Sequence, residues 1–169
     1  MREIVAGFAA WSGSNGTKHI PGGKFAHIGV AVKRIEAVLP FYCEQLGMLL
    51  LQQEVVDREQ VKICMLGCGE MRLELLEPLG TESPVGKFLR KRGEGMHHLA
   101  FEVRDIEQQL AHLRNQGVRL LDECPRQGAN DSLIAFLHPQ AASGVLIELI
   151  QSLPRKESGD ERADPAENR

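Results

Sequence analysis

The chain has 169 residues, of which 43% are hydrophobic and 25% are charged, and its formal net charge at pH 7 is −3. This length and composition predict a folded chain with one core, or two small modules that share a core, and exclude general disorder. The weak negative charge gives no basic field for binding nucleic acid or a membrane surface, and the longest apolar runs, such as GVLIELI, are too short to cross a bilayer.

The two ends of the chain differ in composition from its middle. Residues 1–23 end in a stretch rich in Gly, Ser and Pro and are predicted to be an extension or linker. Residues 152–169 are highly charged and are expected to form a disordered tail. The folded domain is therefore predicted to cover residues 24–151. A cytoplasmic location is expected, because the first residues match neither a signal peptide nor a transit peptide and the four cysteines form no CxxC pair.

The first half of the domain predicts a strand, a helix and three more strands. FAHIGVAV alternates as a half-buried strand does, and the helix is predicted because five apolar residues would share one face, namely Ile35, Val38, Leu39, Tyr42 and Leu46. Pro40 conflicts with a regular helix, so we expect a kink there or a helix that starts after Ile35. The following strands are predicted at MLLLQQEVV, QVKICMLGCG and EMRLELLEP.

The second half predicts the same order of elements. HLAFEV is a predicted strand, IEQQLAHLRNQG a predicted helix, and VRLLDE, SLIAFLHP and GVLIELIQ are predicted strands. Each module, at about 24–80 and 95–151, is therefore a βαβββ unit. A short helix over 83–92 is predicted to join them, with Ser83 as its N-cap and Pro84 in its first position.

Two histidines and two glutamates occupy matching places in the two modules. His27 and His98 each begin a strand, and Glu74 and Glu148 follow them by about fifty residues, each within an apolar strand. A single His at a strand edge is usually structural, and a single Glu can face solvent. A carboxylate buried in an apolar strand, however, costs several kcal/mol (roughly) unless it is paired or bound to a metal. The joint repeat therefore predicts a site for zinc, cobalt, nickel, manganese or iron.

Two further groups of polar residues have weaker signals. His97 is expected on the opposite face of its strand from His98, in a structural role or in contact with a metal ligand. The densest basic cluster lies in the predicted short helix and comprises Lys87, Arg90, Lys91 and Arg92. These cations are either solvated or available to bind phosphate groups.

The strands HIGVAV and HLAFEV, with LELLEP and LIELIQ, resemble the vicinal-oxygen-chelate superfamily, which includes glyoxalase I. More narrowly, LELLEPLGTESPVGKFLRKRGEGMHHLAFEV and FLHPQAASGVLIELIQ are similar to the methylmalonyl-CoA epimerase family, and the likeness covers about 25–151. The resemblance implies an α+β fold in which two tandem βαβββ modules form a half-open curved mixed sheet around a metal site. It also implies a homodimer.

The resemblance carries roles for individual residues. It implies that His27, Glu74, His98 and Glu148 bind one divalent ion, with cobalt, zinc, manganese or nickel as candidates. The implied activity is the interconversion of the two stereoisomers of methylmalonyl-CoA through a metal-stabilised enolate and two carboxylate bases. Glu148 matches one base; Glu54 is the better match for the second base, and Glu59 is the alternative. The coenzyme A part of the substrate would be bound by three cations: Lys87, Arg90 and Lys91.

Three other functions remain open from the sequence. A glyoxalase I-type lactoylglutathione lyase would use the same metal and bases on a glutathione hemithioacetal. An iron-dependent ring-cleaving dioxygenase would use two His and one Glu, so that Glu74 as a fourth ligand argues against it. A metal-free small-molecule-binding protein on this scaffold would not need the four ligands.

Overall fold

The computed structural model describes residues 23–154. The predicted extension at 1–23 and the predicted tail at 152–169 therefore lie almost wholly outside the described residues. At the boundary, Ser152 is the last residue of a strand rather than the first of a tail. All four cysteines are free thiols. Of the helices in the described part of the chain, none combines the length and apolar composition of a membrane-spanning segment.

The first module has the predicted order of elements. Strand β1 is followed by helix α1 and then by three strands, with the bounds β1 Lys24–Ala31, α1 Ile35–Leu39, β2 Leu49–Val56, β3 Val61–Cys68 and β4 Met71–Pro78. A short 3-10 turn over Asp57–Glu59 joins β2 to β3.

The second module repeats this order after a connecting helix. The bounds are α2 Pro84–Arg92, β5 Gly95–Glu102, α3 Ile106–Asn115, β6 Arg126–Gln127, β7 Ser132–Leu137 and β8 Leu146–Ser152. The predicted cap of α2 is confirmed, because the Ser83 hydroxyl accepts a hydrogen bond of 3.0 Å from the backbone N–H of Gly86.

All eight strands form one mixed sheet in the order β2-β3-β4-β1-β5-β8-β7-β6. β1 and β5 pair antiparallel at its centre, whereas β4 is parallel to β1 and β8 is parallel to β5. Each module thus forms half of the sheet, and the halves are related by an approximate twofold axis between β1 and β5. The predicted fold, with two βαβββ modules in a half-open curved sheet, is confirmed.

The conflict at Pro40 is resolved by a change of helix type. The helix starts at Ile35, as the apolar pattern predicted, and continues from Pro40 to Gln45 as a π-helical turn. Proline has no N–H to donate to the preceding turn, and the wider turn places the N–H of Leu46 3.1 Å from the carbonyl of Phe41. The prediction that Leu46 shares the buried face of the helix is wrong, because this residue is 54% exposed.

The strand predicted at VRLLDE is also wrong. Only one bridge forms there, between Leu120 and Leu137, and the regular pairing with β7 begins at Arg126. The reason is local: the carboxylate of Asp122 accepts the backbone N–H of Phe136 at 2.9 Å. A side chain therefore takes the place of a backbone acceptor, and the ladder cannot continue through this segment.

Alternation along the strands divides the sheet into two faces. Leu66 and Leu75 are fully buried and pack against Ile35 of α1. In an equivalent cluster, Ile106 and Leu110 of α3 pack against residues of β7 and β8. The helices α1 and α3 thus cover one face of the sheet. Strand residues next to these leucines, such as Glu74 beside Leu75, point to the other, concave face.

Candidate metal centre and active site

The four predicted ligands converge at the centre of the concave face. Gly29 of β1 lies directly opposite both Glu74 of β4 and His98 of β5, and Ala100 of β5 lies opposite both His27 and Glu148. The antiparallel pairing of β1 and β5 brings the two histidines together, and each parallel neighbour adds its glutamate. The duplicated sequence pattern therefore becomes one cluster on the pseudo-twofold axis.

Short distances join the four side chains. The Nε2 atoms of His27 and His98 are 3.0 Å apart. An oxygen of Glu74 lies 3.3 Å from His27 Nε2 and 3.6 Å from His98 Nε2, and an oxygen of Glu148 lies 3.5 Å and 3.3 Å from the same two atoms. All four residues are more than nine-tenths buried.

This donor set fits a divalent ion. Ligand atoms about 2.1 Å from an ion are separated by roughly 3.0–3.4 Å in octahedral or tetrahedral geometry. The distances above, from 3.0 to 3.6 Å, are close to this range. The ligand atoms of His27, Glu74 and His98 all lie within 4.8 Å of one another. Two carboxylates would balance the charge of a dication, and two imidazoles suit a borderline metal.

The electrostatics of the cluster favour an ion pair in the absence of a metal. Burial alone would lower the pKa of His27, but the hydrogen bond to Glu74 and the charges of Glu74 and Glu148 raise that pKa above its ordinary value. Burial alone would raise the pKa of Glu74, but the contact with His27 holds it below its ordinary value. A metal ion would therefore displace a proton from this site.

His97 does not occupy the opposite face of its strand as predicted; it borders the same cavity as His98. Its Nδ1 lies 3.0 Å from Nδ1 of His98, and its ring packs edge-on against Phe88 of α2 with 4.9 Å between ring centroids. Burial and the neighbouring His98 lower the pKa of His97 to about 4, so that its ring is neutral at pH 7.

The cluster forms part of the wall of a cavity of about 690 Å³. Its other walls are mainly apolar, and they include Ile63, Met65, Leu76, Val85, Phe88 and Ile134. Such a cavity can hold an organic substrate with its reacting atoms at the polar cluster and its apolar parts against the walls.

The predicted basic cluster divides into two parts. Lys87 and Lys91, one helical turn apart on α2, border the cavity. Arg90 does not border it; its guanidinium is 3.0 Å from the carboxylate of Glu82 and also contacts the carbonyl of Thr81. Arg92 lies over the ring of Phe88 at 5.9 Å. The structure therefore places two of the three predicted substrate cations, Lys87 and Lys91, where a ligand in the cavity can reach them.

The two candidates for the second base have different surroundings. Glu54 pairs across strands with the cavity residue Ile63 and so faces the concave side, although it is not itself part of the cavity wall. Its carboxylate accepts a hydrogen bond of 3.2 Å from the neutral amide of Gln52. Glu59 borders the cavity but forms an ion pair with Arg126. The Glu59 carboxylate is thus held by a cation, whereas no cation of the described part of the chain pairs with that of Glu54.

Several cavity residues were not singled out from the sequence. Met65 lies directly opposite Glu74, and Phe136 lies directly opposite Glu148, so each carboxylate has an apolar neighbour in the same register. The module repeat is the signal that could have found this pair. The guanidinium of Arg126 lies 5.5 Å from the Phe136 ring centroid. This residue was not identified as part of the site, because the strand was predicted to lie just before it, at VRLLDE.

Comparisons with known proteins agree with this geometry. Residues 26–136 match the family model described as the Glyoxalase/Bleomycin resistance protein/Dioxygenase superfamily. The mitochondrial methylmalonyl-CoA epimerase of Bos taurus is 35% identical over 131 residues, which cover 77% of this chain and 75% of the bovine protein. The ethylmalonyl-CoA/methylmalonyl-CoA epimerase of Cereibacter sphaeroides is 34% identical, and the match covers 76% of this chain and 98% of that protein.

Solved structures show the same likeness. One is a methylmalonyl-CoA epimerase in complex with methylmalonyl-CoA and NH4+, whose sequence is 40% identical to this chain. The two superimpose with a TM-score of 0.73, over 77% of this chain and 94% of that one. The paired modules and the matched family model lead to one assignment: the chain belongs to the Glyoxalase/Bleomycin resistance protein/Dioxygenase superfamily, also called the vicinal-oxygen-chelate superfamily.

Proposed function

We propose that this chain is a metal-dependent epimerase that interconverts the two stereoisomers of methylmalonyl-CoA. The observation that carries the proposal is the convergence of His27, Glu74, His98 and Glu148 on one point of a largely apolar cavity. The bovine and Cereibacter sphaeroides relatives support the choice of substrate. Both are named as epimerases of methylmalonyl-CoA, and each match covers about three quarters of this chain.

The four clustered residues would hold a divalent ion, with cobalt, zinc, manganese and nickel as the candidates. Such an ion supplies Lewis-acid stabilisation for the negative charge that develops on the substrate when the proton between the thioester and the carboxylate leaves. The burial of the four residues limits the access of water, which strengthens every electrostatic interaction within the site.

Inversion of a stereocentre requires a base on each side of the substrate. Glu148 serves one side, because it belongs to the cluster and lines the cavity. Glu54 serves the other, because it comes from the opposite module, faces the concave side and has no cationic partner for its carboxylate among residues 23–154. One carboxylate removes the proton, and the other, in its protonated form, returns a proton to the opposite face.

Lys87 and Lys91 bind the phosphate groups of coenzyme A. Both lysines are exposed and both border the cavity, so a substrate whose acyl end reaches the cluster can extend its tail along α2. An ammonium group makes charge-assisted hydrogen bonds to phosphate oxygens. The homodimer implied by the resemblance stays a prediction.

One assay tests the proposal directly. Protein loaded with Co²⁺ is incubated with one stereoisomer of methylmalonyl-CoA in deuterated water, and the appearance of the other stereoisomer with deuterium at the 2-position is followed by mass spectrometry. Glu148→Gln keeps the shape of the side chain but cannot act as a base, so epimerisation should fall by at least about 10²-fold.

Two results would contradict the proposal. A wild-type protein that isomerises a glutathione hemithioacetal but leaves methylmalonyl-CoA unchanged would be a lactoylglutathione lyase. A purified protein that binds none of the four candidate ions, Co²⁺, Zn²⁺, Mn²⁺ and Ni²⁺, would be a metal-free binding protein on this scaffold. Near-normal deuterium incorporation by Glu148→Gln would remove Glu148 from the proton transfer while leaving the epimerase assignment in place.

A further inference from the structure

We propose that His97 is a positioning residue for the metal centre. Its Nδ1 accepts a hydrogen bond from the Nδ1–H of His98, and this bond directs the Nε2 lone pair of His98 into the cluster. The inference rests on the divalent ion of the proposed function, but the hydrogen bond itself can be measured in the metal-free protein.

The argument begins with the two nitrogens of His98. A neutral imidazole has one nitrogen that donates and one that accepts. The Nε2 atom of His98 lies 3.0 Å from Nε2 of His27 and 3.3 Å from an oxygen of Glu148, at the point where the ligands meet. To bind an ion there, Nε2 must present its lone pair, and the proton must then be on Nδ1.

His97 is the acceptor that this tautomer requires. The Nδ1 atoms of His97 and His98 are 3.0 Å apart, which is the usual length of a hydrogen bond between two nitrogens. If His98 donates from Nδ1, the Nδ1 of His97 is the accepting nitrogen and His97 carries its own proton on Nε2. This tautomer also fits the contact with His27 when no ion is bound. The Nε2–H of His27, which lies 3.3 Å from the Glu74 carboxylate, then also faces a lone pair of His98 Nε2 and not a second N–H.

The ring of His97 is held where it can do this. Phe88 of α2 contacts it edge-on with 4.9 Å between ring centroids, and the ring of His98 contacts it edge-on at 5.3 Å. A second ring, that of Phe136, contacts His98 edge-on at 5.8 Å. Each imidazole therefore contacts the other and one phenylalanine ring, which restricts its rotation.

The arrangement is present in one module only. The residue before His27, in the place equivalent to His97, is Ala26, whose side chain has no nitrogen. The hydrogen bond is thus a feature of this position and not a consequence of the repeated fold. Removal of a hydrogen-bond partner behind a metal-binding histidine typically weakens metal affinity about 10–100-fold.

Two substitutions of His97, by Asn and by Leu, test the proposal, because the two new side chains have nearly the same shape. In His97→Asn the amide oxygen can take the place of Nδ1 and accept the hydrogen bond, whereas in His97→Leu no acceptor remains. Nitrogen-15 NMR of the metal-free protein reports the tautomer of His98, and Co²⁺ titration by calorimetry reports the affinity. Circular dichroism and thermal melting show whether each variant folds.

We expect the Nδ1–H tautomer of His98 in the wild type and in His97→Asn, and a mixture or the Nε2–H tautomer in His97→Leu. The Co²⁺ affinity should fall about 10–100-fold in His97→Leu and much less in His97→Asn.

An Nε2–H tautomer in the wild type, or an equal loss of affinity in both variants, or no loss in His97→Leu, would overturn the proposal. If His97→Leu does not fold, the wild-type tautomer and the affinity of His97→Asn still decide it. A wild type that binds no Co²⁺ would overturn the metal site itself, a different result from an altered tautomer.

Discussion

Gly29 of β1 lies directly opposite His98 of β5, and the imidazole ring of His98 occupies the space that a side chain at position 29 would need. A Cβ atom placed on Gly29 would come within 2.3 Å of Cε1 of His98 and 2.6 Å of Nε2. The absence of a side chain at this position is therefore what allows the ring to lie over β1 and reach His27.

The first prediction is that Gly29→Ala displaces His98 and weakens metal binding without removing any ligand. Since the ring of His98 contacts the rings of both His97 and Phe136, a displacement of it disturbs these contacts and its position in the cluster. We expect the Co²⁺ affinity, measured by titration, to fall about 10-fold or more. Gly23→Ala is the control, because nothing lies within 4 Å of the added methyl group. Equal affinities for Gly29→Ala and the wild type would show that the ring has another place to go.

The position of the metal cluster was predictable from the sequence because its signal is a repeat. His27 and His98 are each the fourth residue of their strands, β1 and β5, and not the first as the sequence predicted, but their positions are equivalent. Glu74 and Glu148 lie in the strands that flank them. Strand alternation then decides that all four point to one face. No knowledge of side-chain packing was needed, since the backbone topology alone brings the four together.

The rest of the site depends on packing that one sequence does not reveal. Lys87, Arg90 and Lys91 are all on α2, and only the burial of Val85 and Phe88 under the helix decides which cations border the cavity. The ion pair between Glu59 and Arg126 joins residues far apart in the chain, across the two edges of the curled sheet. Such tertiary contacts have no local sequence signal.

The second prediction concerns coenzyme A. The double substitution Lys87→Glu with Lys91→Glu should raise KM for methylmalonyl-CoA at least about tenfold, since each lost contact to a charged group is worth about 1.5–3 kcal/mol. The value of kcat should change little, because these lysines are not part of the metal cluster. Arg90→Glu is the control: it reverses one positive charge on the same helix, which is half the charge change of the double substitution, but away from the cavity. A similar rise in KM for Arg90→Glu would mean that the effect is one of overall charge.

The third prediction concerns how stability depends on pH. As pH rises, the stability that the metal-free protein gains from the ion pair of His27 and Glu74 should be lost, whereas the stabilisation by a bound metal should increase. The raised pKa of His27 stabilises the metal-free fold below the ordinary value of 6.5, and this contribution is lost as pH rises through the raised pKa. The lowered pKa of Glu74 stabilises the fold above the ordinary value of 4.5, and this contribution is lost as pH falls through the lowered pKa. The metal-free protein should therefore gain most from this ion pair between those two values.

A bound ion competes with the proton on His27, so metal binding should strengthen as pH rises. The increase in melting temperature caused by a fixed excess of Co²⁺ should be larger at about pH 8 than at about pH 6. Differential scanning fluorimetry with and without the metal measures both effects. Glu74→Gln, which removes the partner of His27, should flatten the pH dependence of the metal-free protein. A stabilisation by Co²⁺ that is the same at both pH values would contradict the displacement of a proton.

The fourth prediction separates the two candidates for the second base. If Glu148 and Glu54 act on opposite faces, Glu54→Gln still allows Glu148 to remove and return the proton of one stereoisomer. That stereoisomer should exchange its 2-hydrogen for deuterium from the solvent without being inverted, whereas epimerisation should fall by at least about 10²-fold. Proton NMR of each stereoisomer in deuterated water, followed by analysis of its configuration, measures exchange and inversion separately.

Glu59→Gln is the matched comparison, and it should leave inversion largely intact, because the Glu59 carboxylate is held in an ion pair by Arg126. The opposite pattern, with inversion lost in Glu59→Gln and retained in Glu54→Gln, would assign the second base to Glu59 and would require Arg126 to release it when the substrate binds.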